Sequence, residues 1–265
     1  MTSSFIYSLD AGLQISAGLI PNLEREFKYG RNPNIASGVV SDIWDYGGTG
    51  NQPIYVFPDS AGEDMTISSD LGTDTSAGAG ARTAQIYGLD TNFNLYNVVL
   101  SLDGQNAVAI PEKMTSVHRI IIRTDGSSGL NANLGNVYVG SGAVAVGKPA
   151  NVFAMIAVGN GRTLMTPYMV PAGRTAFIYK WNASIIKPPS DSSASLLFKM
   201  KPFEEVFQVQ DSIGLVTDGD NNENSDLWEC SPLPIFEKSQ IKIEATTLAS
   251  SFIIDAKYIG FLRKN

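Results

Sequence analysis

The stretch that decides the fold runs from Asn151 to Ile186, NVFAMIAVGNGRTLMTPYMVPAGRTAFIYKWNASII. Its pattern predicts three β-strands joined by two tight turns. Asn160-Gly161 lies between apolar runs and predicts a type I′ hairpin turn, because both central residues of that turn need positive φ. The segment Val170-Pro171-Ala172-Gly173 predicts a type I turn, in which proline presets φ at the second position. We therefore expect a β-meander here.

The third strand of this meander has the alternation of a half-buried strand. Phe177, Tyr179 and Trp181 are expected on one face, with polar residues between them on the other, because strand side chains alternate. An aromatic inner face of this kind is typical of a β-sandwich core.

Strand signals recur along the rest of the chain, with Gly and Asp turns between them and no helical period. The pattern predicts an all-β protein with two β-sandwich domains of the jelly-roll or immunoglobulin-like type. We place the first sandwich at residues 51–150 and the second at residues 151–265. Gly147-Lys148-Pro149 is a thin linker, so a single interleaved sandwich is the alternative.

Residues 1–50 differ in composition from the remainder. Glycine and proline are frequent, and the apolar and aromatic residues are too many for a solvated tail. We predict an extended N-terminal arm that takes its order from neighbouring molecules or from the body of its own chain, and a flexible tail without a partner is the alternative. The predicted interface residues of the arm are Phe5, Ile20, Leu23, Phe27, Tyr29, Trp44 and Tyr46.

The composition argues against several classes of function. The 265 residues include 19 Lys and Arg against 26 Asp and Glu, a net charge of -7, and no basic run, so nucleic-acid binding is not expected. Neither a leader pattern nor an apolar run of membrane-spanning length is present, which favours a product made in the cytoplasm without a membrane anchor. The single cysteine, Cys230, excludes an intrachain disulfide framework.

No catalytic arrangement is recognisable, and we expect neither an enzyme nor a cofactor. His118 is the one histidine, and it lies inside a predicted strand, where a structural role is favoured. No G-x-S-x-G motif presents a serine. One histidine and one cysteine cannot supply the usual ligands of zinc, so no metal site is predicted.

Two surface loops and one glycine-rich segment are candidates for binding. Asp218 to Glu229 has oxygen ligands at calcium-loop spacing, but Glu223 replaces the required glycine, so a solvated acidic hairpin is favoured. The glycine-rich segment from Ser76 to Arg82 lacks a Walker lysine and predicts a flexible loop. The two surface loops run from Asp125 to Gly129 and from Asp218 to Asp226. Their candidate exposed binding residues are Asp125, Ser127, Asp218, Asp220 and Asp226.

Several phrases of the sequence resemble virion structural proteins of tailed bacteriophages. They are GLIPNLEREFKYGRNPNIASG (Gly18 to Gly38), DIWDYGG (Asp42 to Gly48), DTSAGAGARTAQIYGLDTNFN (Asp74 to Asn94), SSGLNANLGNVYV (Ser127 to Val139) and GNGRTLMTPYMVPAGRTAFIYKW (Gly159 to Trp181). The resemblance covers most of the chain up to about Trp181. It implies a β-rich protein assembled in many copies on the particle, with no enzymatic site.

On this resemblance we expect a capsid decoration or cement protein that binds the major capsid protein or neighbouring virion proteins. Its arm, from Phe5 to Trp44, would grip the capsid or an adjacent subunit. A homotrimer is favoured. Repeating a modest contact many times over a shell would give avidity. The virion would be its location after assembly in the host cytoplasm. A tail or collar accessory protein is the close alternative. A host-surface or carbohydrate-binding module is the alternative from another class.

Overall fold

The structure, a computed structural model, describes residues 14–15, 17–48, 50–186, 191–218, 224–227, 232–248 and 251–265. Within these ranges the chain forms small antiparallel β-sheets and a short 3-10 helix at Asp45–Gly47. The prediction of an all-β protein is confirmed. Among the described residues, no helix has the length and apolar character that crossing a membrane requires.

Two sheets from the middle of the chain share one hydrophobic core. Sheet I has the strand order β6-β3-β8-β9, and sheet II has the order β5-β4-β7. Residues such as Ile67 of sheet I and Ile86 of sheet II are fully buried between them. The strands are β3 (Met65–Ser69), β4 (Ala81–Asp90), β5 (Leu95–Ser101), β6 (Val108–Ala109), β7 (Met114–Asp125), β8 (Val137–Ala145) and β9 (Lys148–Ile156).

Two further sheets combine the beginning and the end of the described chain around a second core. Sheet III has the order β1-β17-β11-β14, with β15 also paired to β11. Sheet IV has the order β10-β16-β12-β13, with β2 also paired to β16. Their strands are β1 (Leu23–Ile35), β2 (Val40–Asp42), β10 (Tyr168–Met169), β11 (Arg174–Ile186), β12 (Asp191–Lys201), β13 (Gln208–Asp218), β14 (Asn224–Leu227), β15 (Leu233–Ile235), β16 (Gln240–Thr247) and β17 (Phe252–Lys264).

The described part of the predicted arm is built into the body of the protein. Strand β1 pairs with β17 along its length, from Leu23 opposite Arg263 to Ile35 opposite Phe252. Residues 23–35 therefore form an integral strand, so over this range the predicted segment takes its order from the body of its own chain. The side chains of Lys28 and Asn32 are buried, and a polar inner face of this kind hides the apolar alternation by which strands are recognised.

The three strands predicted between Asn151 and Ile186 exist, but the predicted meander is wrong. Strands β9, β10 and β11 lie in three different sheets and are paired with β8, β16 and β17. Gly161 has a φ of +65°, whereas Asn160 is not among the residues with positive φ, so the turn is not type I′. Long-range pairing has overridden the local hairpin signal.

A β-bulge in β11 changes which side chains face the core. The register with β17 shifts between Ile178 and Lys180. Ile178 and Trp181 are consequently both buried, while Tyr179 is half-buried and stacks on Phe261 with ring centroids 4.9 Å apart. The prediction that Phe177, Tyr179 and Trp181 share one face is therefore wrong, because a bulge inserts one extra residue into the alternation.

The chain passes from one core to the other near residues 43 and 44. Ile35 and Ile43 belong to the core of sheets III and IV, whereas Trp44 and Tyr46 belong to the core of sheets I and II. The predicted boundary at residue 150 falls inside β9, which is paired with β8. The division into residues 51–150 and 151–265 stays a prediction.

Candidate interaction sites

Three arginines from distant parts of the sequence meet in an open pocket of about 400 Å³. It is lined by Arg25, Glu26 and Phe27 of β1, by Arg119 of β7 and by Arg162 of the segment after β9. We call it the arginine pocket. One carboxylate faces three guanidinium groups, so the lining is positive on a chain whose net charge is -7.

Hydrogen bonds and ring contacts fix the walls of the arginine pocket. The Arg119 guanidinium donates a hydrogen bond of 2.9 Å to the backbone carbonyl of Phe27. The Arg25 guanidinium carbon lies 5.9 Å from the centroid of the Phe27 ring. The Nε of Arg162 is buried and has no hydrogen-bond partner within the described structure. A buried donor of this kind favours a ligand that accepts hydrogen bonds.

Burial, and after it the repulsion between neighbouring cations, lowers pKa values around the arginine pocket. The pKa of Lys28 falls to about 7 because its amine is buried and repelled by Arg119, although Glu26 partly offsets this. Burial and the Arg119 charge also lower the pKa of Arg162. An anion that enters the pocket would relieve this repulsion. Guanidinium groups bind carboxylate and phosphate groups through paired hydrogen bonds, so both classes of anion suit the pocket.

His118 precedes Arg119 of the arginine pocket in β7, and its side chain is buried. Its backbone carbonyl accepts a hydrogen bond of 2.5 Å from the amine of Lys28. Its ring centroid is 4.3 Å from that of Tyr168. Burial, with the charges of Lys28 and Arg119, holds the pKa of the imidazole well below its usual 6.5. The ring is therefore neutral near pH 7, an environment that suits a structural residue.

A second cavity, of about 470 Å³, adjoins the 3-10 helix. Arg31, Asp45, Tyr46, Tyr138 and Lys148 are among the residues that line it. The Lys148 amine lies 4.9 Å from the centroid of the Tyr46 ring. Burial raises the pKa of Asp45 to about 7, against a hydrogen bond of 3.2 Å from the Leu164 amide. The cavity thus combines cations with a carboxylate that is partly neutral at physiological pH.

The predicted interface residues divide into two groups. Trp44 and Tyr46 are 1% and 6% exposed, because they pack in the core of sheets I and II. The prediction that they contact a partner is corrected, since the protein's own core covers them. Half-buried positions on or near β1 remain predicted contacts, and they are Ile20, Leu23, Phe27 and Tyr29. Phe5 lies outside the described residues.

The predicted binding loops are only partly described. Asp125 ends β7, and Ser127 follows it in an exposed turn. Asp218 ends β13, and Asp226 lies in β14 opposite Asn182. Asp220 falls outside the described residues. Among the residues that the structure does describe, no group of three or more His, Cys, Asp or Glu could hold a metal ion.

The glycine-rich segment from Ser76 to Arg82 packs tightly, contrary to the predicted flexible loop. It wraps around Asp74, which is fully buried. The Asp74 carboxylate accepts hydrogen bonds from the backbone amides of Ala81, Leu134 and Gly135. A Cβ at Gly80 would lie 2.1 Å from an Asp74 oxygen, so glycine is required there by space. The segment is thus a structural turn around a buried carboxylate.

Sequence reasoning missed the arginine pocket because its members are far apart in the chain. Each of Arg25, Arg119 and Arg162 lies in a segment without a basic run. One weak indication was present, because Arg25 and Arg162 both lie in segments that resemble phage virion proteins. The bridge between Ile121 of β7 and Arg162, and the hydrogen bond from Arg119 to Phe27 of β1, bring the three segments together.

Comparisons with known proteins add little. No family model matches the chain, and no curated protein matches it. Among solved structures, that of the infectious bursal disease virus Gt strain matches with 9% identity and a TM-score of 0.25, covering 92% of this chain and 73% of that one. The VP2 subviral particle of the same virus matches with 10% identity and a TM-score of 0.22, covering 99% and 83%. Likeness at these TM-scores carries no argument about fold or function.

Proposed function

We propose that this chain is a virion structural protein, a capsid decoration or cement protein that binds the outer shell of a tailed bacteriophage. The observation that carries the proposal is the arginine pocket, a concentrated positive site on a chain of net charge -7. Such a site favours contact with an acidic group on another protein. The protein would act in assembly and not in catalysis. It would need no cofactor, nucleic acid or membrane for this role.

The segments that carry the resemblance to phage proteins also build the pocket. Arg25 and Phe27 belong to the phrase from Gly18 to Gly38, and Arg162 belongs to the phrase from Gly159 to Trp181. These two phrases are remote in sequence, and they meet beside the Arg119 guanidinium. Their meeting point is therefore the surface where we place the contact with the major capsid protein.

The size and chemistry of the pocket suit an acidic side chain. A carboxylate can form two parallel hydrogen bonds with one guanidinium, and the Phe27 ring offers an apolar wall beside it. One such contact is modest, because part of its energy is lost in removing water from the charges. Repetition over a shell, and within a homotrimer, turns modest contacts into stable attachment.

The finer architecture belongs to the same proposal. We place the four sheets in two sandwiches of the jelly-roll or immunoglobulin-like type, each with one of the two cores. The residues that precede β1 would form the remaining part of the arm and contact the shell or an adjacent subunit. The half-buried side chain of Leu23, on the same strand as the lining residue Phe27, would extend this contact.

The test is to mix the purified protein with particles that lack it and to measure binding by sedimentation and cryo-imaging. Copies spread over the whole shell are expected. A few copies at one vertex would move the assignment to a tail or collar accessory protein. If the protein does not bind particles but does bind host-surface carbohydrate, the result would favour the receptor module with its loops at Ser127 and Asp226.

Charge variants connect the test to the arginine pocket. Arg25→Glu and Arg162→Gln remove positive charge from the lining and are expected to weaken particle binding at least about tenfold, the ratio that corresponds to about 1.4 kcal/mol. Arg123→Glu is the matched control, because Arg123 lies on the same strand as Arg119 but is exposed and outside the pocket. Equal effects of the three variants would contradict a role for the pocket.

A further inference from the structure

A cluster of charged side chains is buried where β2 pairs with β16. Asp42, Lys242 and Glu244 are 0%, 4% and 8% exposed. The Lys242 Nζ is 2.9 Å from Asp42 Oδ2 and 3.4 Å from Glu244 Oε2. Glu244 is directly opposite Asp42 in the register of the two strands. The amine, the carboxyl group and a second carboxylate are therefore held together by the backbone pairing.

The two oxygens of Asp42 have different environments. Oδ2 accepts a hydrogen bond of 2.7 Å from the backbone amide of Tyr55 as well as one from Lys242. Oδ1 is buried and has no hydrogen-bond partner within the described structure. One oxygen is thus polarised by an N–H donor, and the other is left without compensation for the water it has lost.

The surroundings of the cluster are apolar and aromatic on one side. The Lys242 Nζ lies 4.9 Å from the centroid of the Phe207 ring. On the other side, Lys199 of β12 donates a hydrogen bond of 2.5 Å to Glu244 Oε1. Burial raises the pKa of Asp42 to about 6, although the Lys242 charge acts in the opposite direction. Transfer of a proton within the pair, which leaves a neutral amine and a neutral acid, becomes easier as water is excluded.

We propose that Lys242 and Asp42 condense to form an intramolecular isopeptide bond that joins β16 covalently to β2. The neutral Lys242 Nζ attacks Asp42 Cγ, and the N–C bond forms as a tetrahedral intermediate. The Tyr55 amide stabilises the negative charge that develops on Oδ2. Oδ1 already carries the proton of the neutral acid, and it leaves as water after it receives a second proton from Nζ. The products are one amide and one water molecule, with no change of oxidation state.

Glu244 supplies the proton transfer. Its Oε2 is within reach of the attacking nitrogen, so its carboxylate can accept a proton from Nζ and pass it to the departing oxygen. The Lys199 contact holds Glu244 in place. No other reactant is needed, because the strand pairing already fixes amine and carboxyl group at contact distance, which replaces an encounter in solution.

A permanent ion pair is the competing account of the same geometry. It explains the distances, but a buried ion pair gives little net stability, because removing two charges from water offsets their attraction. It also leaves Oδ1 of Asp42 without a partner. Condensation removes both charges and that oxygen at once, and it leaves an amide N–H close to Glu244.

Mass spectrometry of the full chain tests the proposal. The intact mass of the folded protein is expected to be lower than that of the sequence by one water molecule. Trypsin should not cleave after Lys242, and the digest should contain residues 32–82 joined to residues 239–257. An intact mass equal to that of the sequence, with cleavage after Lys242, would overturn the proposal and leave an ion pair.

Three variants make the result specific. Lys242→Arg keeps the charge but should show no mass loss. Asp42→Asn should end at the same mass as the crosslinked wild type, because ammonia leaves in place of water. Glu244→Gln should fold, as judged by circular dichroism, and lose at least about nine-tenths of the crosslink, in line with the usual contribution of a proton-transfer group. Full crosslinking in Glu244→Gln would contradict the role of Glu244, and a mass loss in Lys242→Arg would contradict the assignment of the bond.

Discussion

The carboxylate of Asp74 accepts a hydrogen bond of 2.8 Å from the backbone amide of Gly135, 61 positions further along the chain. The same carboxylate accepts hydrogen bonds from the amides of Ala81 and Leu134 and from the hydroxyl of Ser69. One buried side chain thereby joins the end of β3, the start of β4 and the segment that leads into β8.

Asp74→Ala is expected to destabilise the protein by at least about 3 kcal/mol, because it leaves buried amide donors without acceptors. Urea unfolding followed by circular dichroism measures the change. Asp64→Ala is the control, since the Asp64 side chain is 85% exposed and its ion pair with Lys113 should contribute less than about 1 kcal/mol. Equal losses in the two variants would show that Asp74 does not organise these segments.

Gly30→Ala should loosen the packing of β1 against Ile43 and Thr166. A Cβ at Gly30 would lie 2.6 Å from the carbonyl oxygen of Ile43 and 2.8 Å from the amide nitrogen of Thr166. We expect a loss of about 1–3 kcal/mol from this overpacking. Gly214→Ala in β13 meets no atom within 4 Å and should be neutral or up to about 1 kcal/mol stabilising. Thermal unfolding of both variants provides the comparison, and an unchanged Gly30→Ala would refute the close approach.

Trp44→Ala tests whether this residue belongs to the core or to an interface. Trp44 packs edge-on against Tyr46 and Tyr55, with ring centroids 5.5 Å and 4.9 Å apart. Its truncation should cost about 3–5 kcal/mol in the isolated protein. Leu95→Ala, at a position 52% exposed on β5, should cost less than about 1 kcal/mol. A stable Trp44→Ala variant that fails to bind particles would instead restore the interface interpretation.

Asp45→Asn should change how stability depends on pH. The pKa of Asp45 is raised from its usual 3.8 to about 7, mainly by burial. Between these values the folded state keeps a proton that the unfolded state releases, so stability falls as pH rises from about 4 to about 7, at most by about 1.4 kcal/mol per pH unit. The asparagine variant should lack this contribution and show a flatter profile. Chemical unfolding at several pH values decides it, with Asp64→Asn expected to match the wild type.

Clean alternation made part of the fold predictable. In β5, Tyr96, Val98 and Leu100 form an apolar stripe at every second position of the sequence, and they are half-buried while the residues between them are exposed. Strand β17 alternates in the same way from Phe252 to Leu262. Where one face of a strand packs on a core and the other does not, the period of two appears in the sequence.

The remaining features depend on contacts that a local pattern cannot encode. Strand β1 buries Lys28 and Asn32, so its inner face is polar. Its backbone is paired with β17, although its sequence lacks the apolar alternation by which a strand is recognised. The bulge near Tyr179 reverses the faces of β11. The arginine pocket and the Asp42–Lys242 pair are assembled across long sequence separations, and neither leaves a local motif.

The pairing of β1 with β17 also determines how the protein responds to force. Leu23 and Arg263 are opposite each other at one end of the ladder. In antiparallel strands the hydrogen bonds lie perpendicular to the chain, so tension applied between these two residues loads them one after another. Strand β1 would unzip from β17 at low force. Tension between Leu23 and Phe252 would instead shear the whole ladder at once. The direction in which the two strands are pulled therefore sets the mechanical strength of this sheet.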